Sequence, residues 1–508
     1  MPSLLSLFSL LLAVLASVSV LSTTALYFYP LVLNCSYPNP SAPFRLLTLA
    51  DPQLEGNTAI YSKRYASSPR WISQLRSFRK SLDLWGNDLY LAHIYRTLHT
   101  TIPNLTSRFS FLPQGLVHPT HVVVLGDLIG SQWINDEEFA SRGTRFWNTV
   151  FPSAQRLPER ALSERNRIPG VVVDKIPWPN TLINVVGNHD IGYSGDIRPD
   201  LIKRFEDTYG PVNYAFSIPF PSFEQETAPD DGDDGAKKKN KKNVTITPSL
   251  RMINLNSLNI DSPARDYDIQ MQTYDFMNSL FGESGVWDGT VGTVLLTHVP
   301  LHKPEGVCVD PPMEKYYEEK YGSLLKEQNH ISQGASEMLL GELFGVRRVG
   351  EEKVPRGKEM GIILTGHDHE GCDVVHWHAD VEKTGEDGVK KVEKGWKSGK
   401  WGRKGEEGMV GKDDIWIREV TVRSMMGDFG GNAGLTTAEF DRETMSWKFQ
   451  YSTCPVGTQH IWWTVHIVDF ITLVFGVSYG LIVLIANRMD SAGEKSKANG
   501  AAKTKKEQ

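Results

Sequence analysis

An α/β fold held between two membrane-length apolar segments is the architecture the sequence predicts, and three observations predict it. Short apolar runs rich in β-branched residues alternate with helical stretches through the middle of the chain. Five of those runs end directly in residues of metal-ligating type. Both ends of the chain carry apolar stretches far longer than a strand.

Composition sets the outer limits. The chain has 508 residues, 40% hydrophobic and 22% charged, which excludes a disordered or collagen-like protein. Lys+Arg 54 against Asp+Glu 60 gives a formal charge of −6, so no overall basic field points to nucleic acid. Four cysteines are too few for a disulfide-scaffolded miniprotein.

The first element is the segment 4–33, apolar or weakly polar throughout; no charged side chain precedes Arg45. It is long enough to cross a bilayer core of ~30 Å. A cleaved secretory signal is the alternative, but residues 1–3 offer no basic side chain and the apolar run is long, which favours an uncleaved anchor. Either delivers the rest of the chain to the secretory lumen.

The last apolar element, 461–486, opens with Trp462 and Trp463 and is followed by Arg488, Lys495, Lys497, Lys503, Lys505 and Lys506. The positive-inside rule puts that basic tail, 487–508, in the cytosol. Residues 1–3 then lie in the cytosol too, and the domain at 44–455 in the lumen. Sequons at Asn34, Asn104 and Asn243 agree, although Asn34 lies close to the membrane. Lys505 and Lys506 stand fourth and third from the end, matching a dilysine retrieval signal for the endoplasmic reticulum; a solvated basic tail is the alternative. His466 and Asp469 share one helical face inside the span. An intramembrane acid marks a functional position unless a Ser or Thr of the first span satisfies it.

Between the spans, strands are expected at 46–50, 121–125, 182–186, 249–255, 293–297, 361–365 and 415–422, and helices at 82–98 and 264–281. Two charged stretches, 224–243 and 381–412, read as flexible insertions.

The chemistry lies where the strands end. The run at 46–50 leads into Asp51 and Gln53, and that at 121–125 into Gly126 and Asp127. The run at 182–186 leads into Gly187, Asn188, His189 and Asp190; those at 293–297 and 361–365 lead into His298 and into Gly366, His367, Asp368 and His369. In an α/β sheet the carboxyl ends of strands line the ligand crevice, so these residues converge on one site. Carboxylates, an Asn carbonyl and imidazoles suit Mn²⁺, Fe or Zn²⁺ rather than Ca²⁺, and no cysteine marks a structural zinc cage.

This order of motifs, from about Leu46 to His369, resembles the calcineurin-like metallophosphoesterases. The resemblance implies a four-layer αββα sandwich, two mixed sheets flanked by helices, holding two divalent ions. Asp51, Gln53 and His369 would bind the first ion, Asp127 would bridge, and Asn188, His298 and His367 would complete the second. Hydrolysis would proceed by in-line attack of a hydroxide held between the ions, with His189 as general acid and Asp190 orienting its ring. Two departures stand out: Gln53 occupies a position where His is usual, and the Asp127 motif lacks the Asp-Arg-Gly continuation of protein phosphatases, whose usual Glu is replaced by Asp190.

Tyr193, Arg204, Phe205, Glu206, Val212, Asn213 and Tyr214, with Met425, Met426, Gly427 and Asp428, narrow the resemblance. The pattern is similar to the membrane metallophosphoesterases of the yeast cell-division-control type, in fungal style. That branch includes enzymes that remodel GPI anchors in the endoplasmic reticulum. The resemblance implies Mn²⁺ dependence, removal of ethanolamine phosphate from a GPI mannose, and support of ER-to-Golgi transport of GPI-anchored proteins. Cargo-export receptors and coat proteins are the further partners expected, through the tail, with cycling to the early Golgi. Two alternatives stand beside it: a luminal phosphoesterase for another small phosphoester, and a non-catalytic membrane adaptor for cargo export. Cys35, Cys308, Cys372 and Cys454 all fall on the luminal side and allow three pairings; Cys308–Cys372 near the metal loops and Cys35–Cys454 between the spans are preferred.

Overall fold

The structure, a computed structural model, describes residues 4–33, 35–60, 69–157, 176–227, 242–283, 289–308, 313–344, 359–384, 390–402 and 415–504. It is a mixed α/β protein with a long apolar helix at each end, Leu4–Val32 and Gln459–Thr504. Leu5–Val32 and Gln459–Met489 are long and apolar enough to cross a membrane.

Two sheets dominate the described residues. The first orders its six strands Ser446–Pro455, Asn432–Asp441, Phe44–Leu49, His121–Leu125, Thr181–Val185, Gln155–Arg156. Phe44–Leu49, His121–Leu125 and Thr181–Val185 run parallel, and the two late strands add antiparallel beside Phe44–Leu49. The second orders seven strands Lys390–Lys400, Cys372–Thr384, Ile415–Thr421, Glu359–Thr365, Val291–Leu296, Ser249–Asn254, Tyr214–Pro219. Its four central strands are parallel and its flanks antiparallel. The seven expected strands are all present, each within two residues of its expected bounds.

Side-chain alternation assigns each strand's residues to two sides. Val123, Leu125, Ile183 and Val185 of the first sheet meet Leu250, Met252, Val294, Leu296, Ile362 and Leu364 of the second in one buried cluster. The alternate residues, among them Val122, Val124, Leu295 and Ile363, join a larger cluster with Leu91 and Ile94 of helix Arg70–Arg96 and Met277 and Leu280 of helix Tyr267–Glu283. Burial on both faces explains the near-continuous apolar runs. Because the central strands are parallel, their carboxyl ends emerge on the same edge, which is where the polar motifs begin.

Three expectations change. The helix expected at 82–98 begins at Arg70 and continues through a π-helical turn at Thr97–Thr101. The stretch 381–412, expected as a loop, contains the end of Cys372–Thr384 and all of Lys390–Lys400, paired from Val374↔Lys400 to Thr384↔Lys390. Its polar composition hid the strands, but the pairing of Cys372–Thr384 with Ile415–Thr421 supplies a template that outweighs local propensity. Residues 385–389 and 403–412 of this stretch lie outside the described residues. The stretch 224–243 likewise begins and ends in a ladder, Phe223–Thr227 against Lys242–Ile246, with 228–241 outside the described residues. The helix of the second span runs on to Thr504, into the tail; Lys505 and Lys506, like Asn34, fall outside the description.

The terminal helices pack on each other. Asp469 accepts hydrogen bonds from Ser19 Oγ at 2.5 Å and Thr23 Oγ1 at 2.9 Å, so hydroxyls of the first helix satisfy the acid of the second. Phe8 stacks on Phe475 with centroids 5.5 Å apart. Both preferred disulfides are formed, Cys35–Cys454 and Cys308–Cys372. The first fastens the end of the N-terminal helix to strand Ser446–Pro455, which leads into the C-terminal one.

Candidate metal centre

Every motif residue sits in the turn immediately after its strand, and the backbone there is unusual. Asp51, Gln53, Asp127 and His367 all have positive φ, between 43° and 75°. Non-glycine residues in this region carry backbone strain, and it clusters at functional sites. Gly126 shows why glycine precedes Asp127: its φ is +86°, and a Cβ would run into the His298 ring.

The second-ion set is brought together by hydrogen bonds that also fix its protons. His298 Nδ1 lies 2.8 Å from the Leu125 carbonyl, and His367 Nε2 lies 3.0 Å from the Gln328 carbonyl. A carbonyl only accepts, so each of those nitrogens carries the ring proton. Burial depresses both imidazoles, His367 to about 3, so both rings are neutral. Their remaining nitrogens are therefore lone pairs. His298 Nε2 points at Asn188 Oδ1, 3.0 Å away, and at Asp127 Oδ1, 3.3 Å away; His367 Nδ1 points at the same Asn188 oxygen at 3.0 Å. Asn188 Oδ1, His298 Nε2 and His367 Nδ1 are three acceptors without a proton among them, beside Asp127 Oδ1, which accepts from His189 N at 2.8 Å; a cation satisfies this arrangement.

The first-ion set is looser but compatible. Asp51, Asp127 and His369 each present a ligand atom within 4.8 Å of the others. Asp51 is fully buried; its Oδ1 accepts from His367 N at 3.1 Å, whereas Oδ2 has no hydrogen-bond partner. Burial, then the neighbouring Asp127 carboxylate, holds Asp51 well above the usual carboxylate range. Gln53 Nε2 lies 3.0 Å from Asp127 Oδ2 and 3.1 Å from His369 Nε2, and turning the amide over presents Oε1 at the same place. The residues present fit two divalent ions.

His189 stands apart, its side chain 37% exposed, with Nδ1 3.2 Å from the Gly130 carbonyl and Nε2 3.8 Å from Asp127 Oδ2. With Nδ1 donating to that carbonyl, the imidazolium form of the ring carries its second proton on Nε2, from where it can be delivered towards a group held beside Asp127. Asp190 does not orient this ring, contrary to the sequence expectation. It is fully buried, and its two oxygens accept from Ile129 N at 3.1 Å and Gly187 N at 2.8 Å. Its work is to join the turn that carries Asp127 to the turn that carries Asn188. Asp190 is the third residue of the short helix that follows Gly187, and it accepts the Gly187 N–H as the third-position acid of a capping box does.

No family model matches the chain. Protein TED1 of Saccharomyces cerevisiae is 31% identical over 479 residues, spanning 84% of this chain and 81% of the yeast protein. The chain belongs to the family of Protein TED1. An uncharacterized protein of Schizosaccharomyces pombe is 26% identical over 462 residues, with 84% of each chain covered. A solved structure of GAP50, the anchor in the inner membrane complex of Plasmodium, aligns over 69% of this chain and 71% of its own. At TM-score 0.27 and 11% identity that likeness carries no argument.

This TED1-family chain also uses residues that had no role in the motif reading. Ser424 donates its N–H to the His369 carbonyl at 3.1 Å and its hydroxyl to the Asp51 carbonyl at 3.1 Å, while Met425 N donates to the Ala50 carbonyl at 3.0 Å. The segment before Gly427 thus braces both first-ion turns. Tyr193 places its hydroxyl 3.4 Å from His367 Nε2. The Gln328 and Gly130 carbonyls left no signal, because backbone groups carry no residue identity. A cavity of about 330 Å³ lined by Asn329, His367, His369, Glu370 and Phe429 opens beside the centre.

Proposed function

We propose that this TED1-family chain is a binuclear metal-dependent phosphodiesterase of the calcineurin-like type, with the four-layer αββα arrangement. It removes an ethanolamine-phosphate group from a mannose of the GPI anchor, aiding exit of GPI-anchored proteins from the endoplasmic reticulum. The observation that carries the reading is the meeting of three proton-free acceptors, from Asn188, His298 and His367, beside the Asp127 carboxylate and the unpartnered Asp51 Oδ2. Mn²⁺, or Fe or Zn²⁺ in the same places, would supply Lewis-acid polarisation of a phosphoryl oxygen and a water acidic enough to attack it. The chain's own residues do the rest. Asp51, Gln53, Asp127 and His369 hold one ion and Asp127, Asn188, His298 and His367 the other. His189 holds a proton at Nε2 for the departing alkoxide oxygen.

On this reading the domain faces the lumen of the endoplasmic reticulum, the two apolar helices cross its membrane, and the lysine-rich tail is cytosolic and meets coat proteins. The substrate is a GPI glycolipid or a GPI-anchored protein. Anchoring enzyme and substrate to one surface raises their effective concentration. The support for the specific substrate is the sequence resemblance described above.

The test is mass spectrometry of GPI glycans from cells carrying the wild-type chain or Asp127→Asn. The expected result is retention of one ethanolamine phosphate per glycan in the variant. An unchanged glycan profile together with normal GPI-protein transport would sink the enzymatic account and favour an adaptor.

A further inference from the structure

Beneath the domain, where the two apolar helices meet it, lies a groove of about 380 Å³, within the size range of small-molecule sites. Leu26 and Tyr29 of the N-terminal helix and Ile461 and Val465 of the C-terminal helix form its membrane side. Among the described residues no carboxylate lines it, and Arg423 is the single charged one. Phe429 is its inner wall, and the same side chain lines the cavity beside the metal centre, where its ring meets that of His369 with centroids 4.8 Å apart. The turn Gly427–Phe429 is seated on the start of the C-terminal helix: a Cβ on Gly427 would overlap Gln459.

Arg423 is poorly satisfied for its position. Its Nε is buried with no hydrogen-bond partner, and Nη2 reaches only Glu370 Oε2, at 3.4 Å in an exposed pair. A guanidinium lining an apolar groove is matched to a phosphate attached to a hydrocarbon chain. Hydrocarbon leaving the bilayer for an apolar groove gains little from dehydration, so orientation must come from the phosphate and from shape.

We infer that the groove seats an acyl chain of a phosphodiester membrane lipid, with Arg423 on its phosphate and the headgroup directed past Phe429 towards the metal centre. The inference rests on the proposed function and deepens it: the chain recognises the lipid end of its substrate, which arrives sideways from the bilayer.

The test is photo-crosslinking on the full chain in phosphatidylcholine vesicles, with diazirine-tailed phosphatidylinositol or diazirine-tailed diacylglycerol. Phosphatidylinositol is expected to label peptides containing Leu26 and Val465 about tenfold more than diacylglycerol, the factor for one charge-assisted hydrogen bond. Ala25→Trp, which fills the groove, and Arg423→Gln should each remove that excess. Equal labelling by both probes, or undiminished labelling in both variants, overturns the inference. Mapping the Cys35–Cys454 disulfide checks that each variant has folded. Labelling needs no turnover, so an Asp127→Asn chain that labels normally while wild type shows no hydrolysis counts against the proposed function alone.

A separate observation points to a second membrane contact. Helix Arg70–Arg96 presents Trp71, Leu75, Phe78, Leu82 and Trp85 on one face, and these five are 46–68% exposed. At 100° per residue they form one stripe, with Arg70 and Arg79 on its flanks. The helix is fixed beside the spans: Gly86 lies against the Trp463 indole, where a Cβ would overlap it, and His93 meets Tyr27 edge-on with centroids 4.8 Å apart. The geometry points to 70–85 as an interfacial helix, its stripe in the acyl boundary and its arginines among anionic headgroups. A fluorophore that shifts to the blue in apolar surroundings, attached at Phe78→Cys in the full chain, should do so in phosphatidylcholine–phosphatidylserine vesicles and be quenched by brominated lipid. A label that emits as in water, or that crosslinks to Trp71 of a second copy, overturns it.

Discussion

Asn188 Oδ1 sits 3.0 Å from His298 Nε2, an acceptor held against an acceptor. A buried contact of this kind is unfavourable until a cation joins it, so the metal-free chain carries a destabilised centre. Adding Mn²⁺ at about a hundredfold excess over its dissociation constant should stabilise the fold by about 2.7 kcal/mol, and a chelator should reverse it. Asp51→Ala and His298→Ala should lose most of that gain. Identical melting temperatures with Mn²⁺ and with chelator would rule out a metal centre here.

His189 and Asp190 are adjacent in sequence, yet their variants should differ in kind. His189→Gln should lower the rate by about 10²–10⁴-fold while keeping the Mn²⁺-induced rise in melting temperature. Asp190→Asn weakens the link between the Asp127 and Asn188 turns. It should lower the melting temperature and metal affinity without moving the pH–rate profile. A shifted profile in Asp190→Asn would restore the sequence-derived role that the geometry contradicts.

The contrast marks how far the sequence could be read. Strand ends and ligand types were legible because parallel strands must be apolar and their carboxyl ends must carry the site. That is why Asp51, Asp127, Asn188, His298, His367 and His369 come together as expected. Partners were less legible: Asp190 adjoins His189 in the chain but caps its own turn, and His367 is held by a backbone carbonyl 39 residues away. The ribbon of Cys372–Thr384 and Lys390–Lys400 was hidden because much of its sequence is polar and its strand form is set by pairing with neighbouring strands.

Glu359 begins a central strand with Oε1 buried and without a hydrogen-bond partner, while Oε2 accepts from Phe449 N at 3.0 Å. Burial raises its carboxyl from 4.5 to about 8. A raised carboxyl contributes stability below its unfolded value and loses it as pH rises through the folded one. Between pH 4.5 and about 8 the wild-type chain should therefore weaken on this account. Glu359→Gln should melt higher than wild type at pH 8.5 and no higher at pH 4.5, by calorimetry; the reverse order would refute the assignment.

Lys303 and Glu419 form a fully buried pair at 2.9 Å. Lys303 Nζ also donates to the Leu301 carbonyl at 2.8 Å, Leu301 N donates to Glu419 Oε1 at 3.0 Å, and His376 Nε2 lies 2.5 Å from Oε2. Both partners are lowered, whereas pairing alone would lower Glu419 and raise Lys303. Glu419 falls from 4.5 to about 2 because Lys303 and His376 outweigh its burial, whereas Lys303 is lowered because burial outweighs its partner. Glu419→Gln leaves the ammonium enclosed without a counter-charge and should cost about 3–5 kcal/mol in urea unfolding. Lys303→Met combined with Glu419→Gln should cost less than the sum of the single changes, since no isolated charge remains. The depressed carboxyl contributes stability in full above pH 4.5 and loses it as pH falls to about 2. Over that window the Glu419→Gln chain should show a shallower loss of stability than wild type. An additive double-mutant cycle with parallel acid profiles would mean that the pair contributes packing alone.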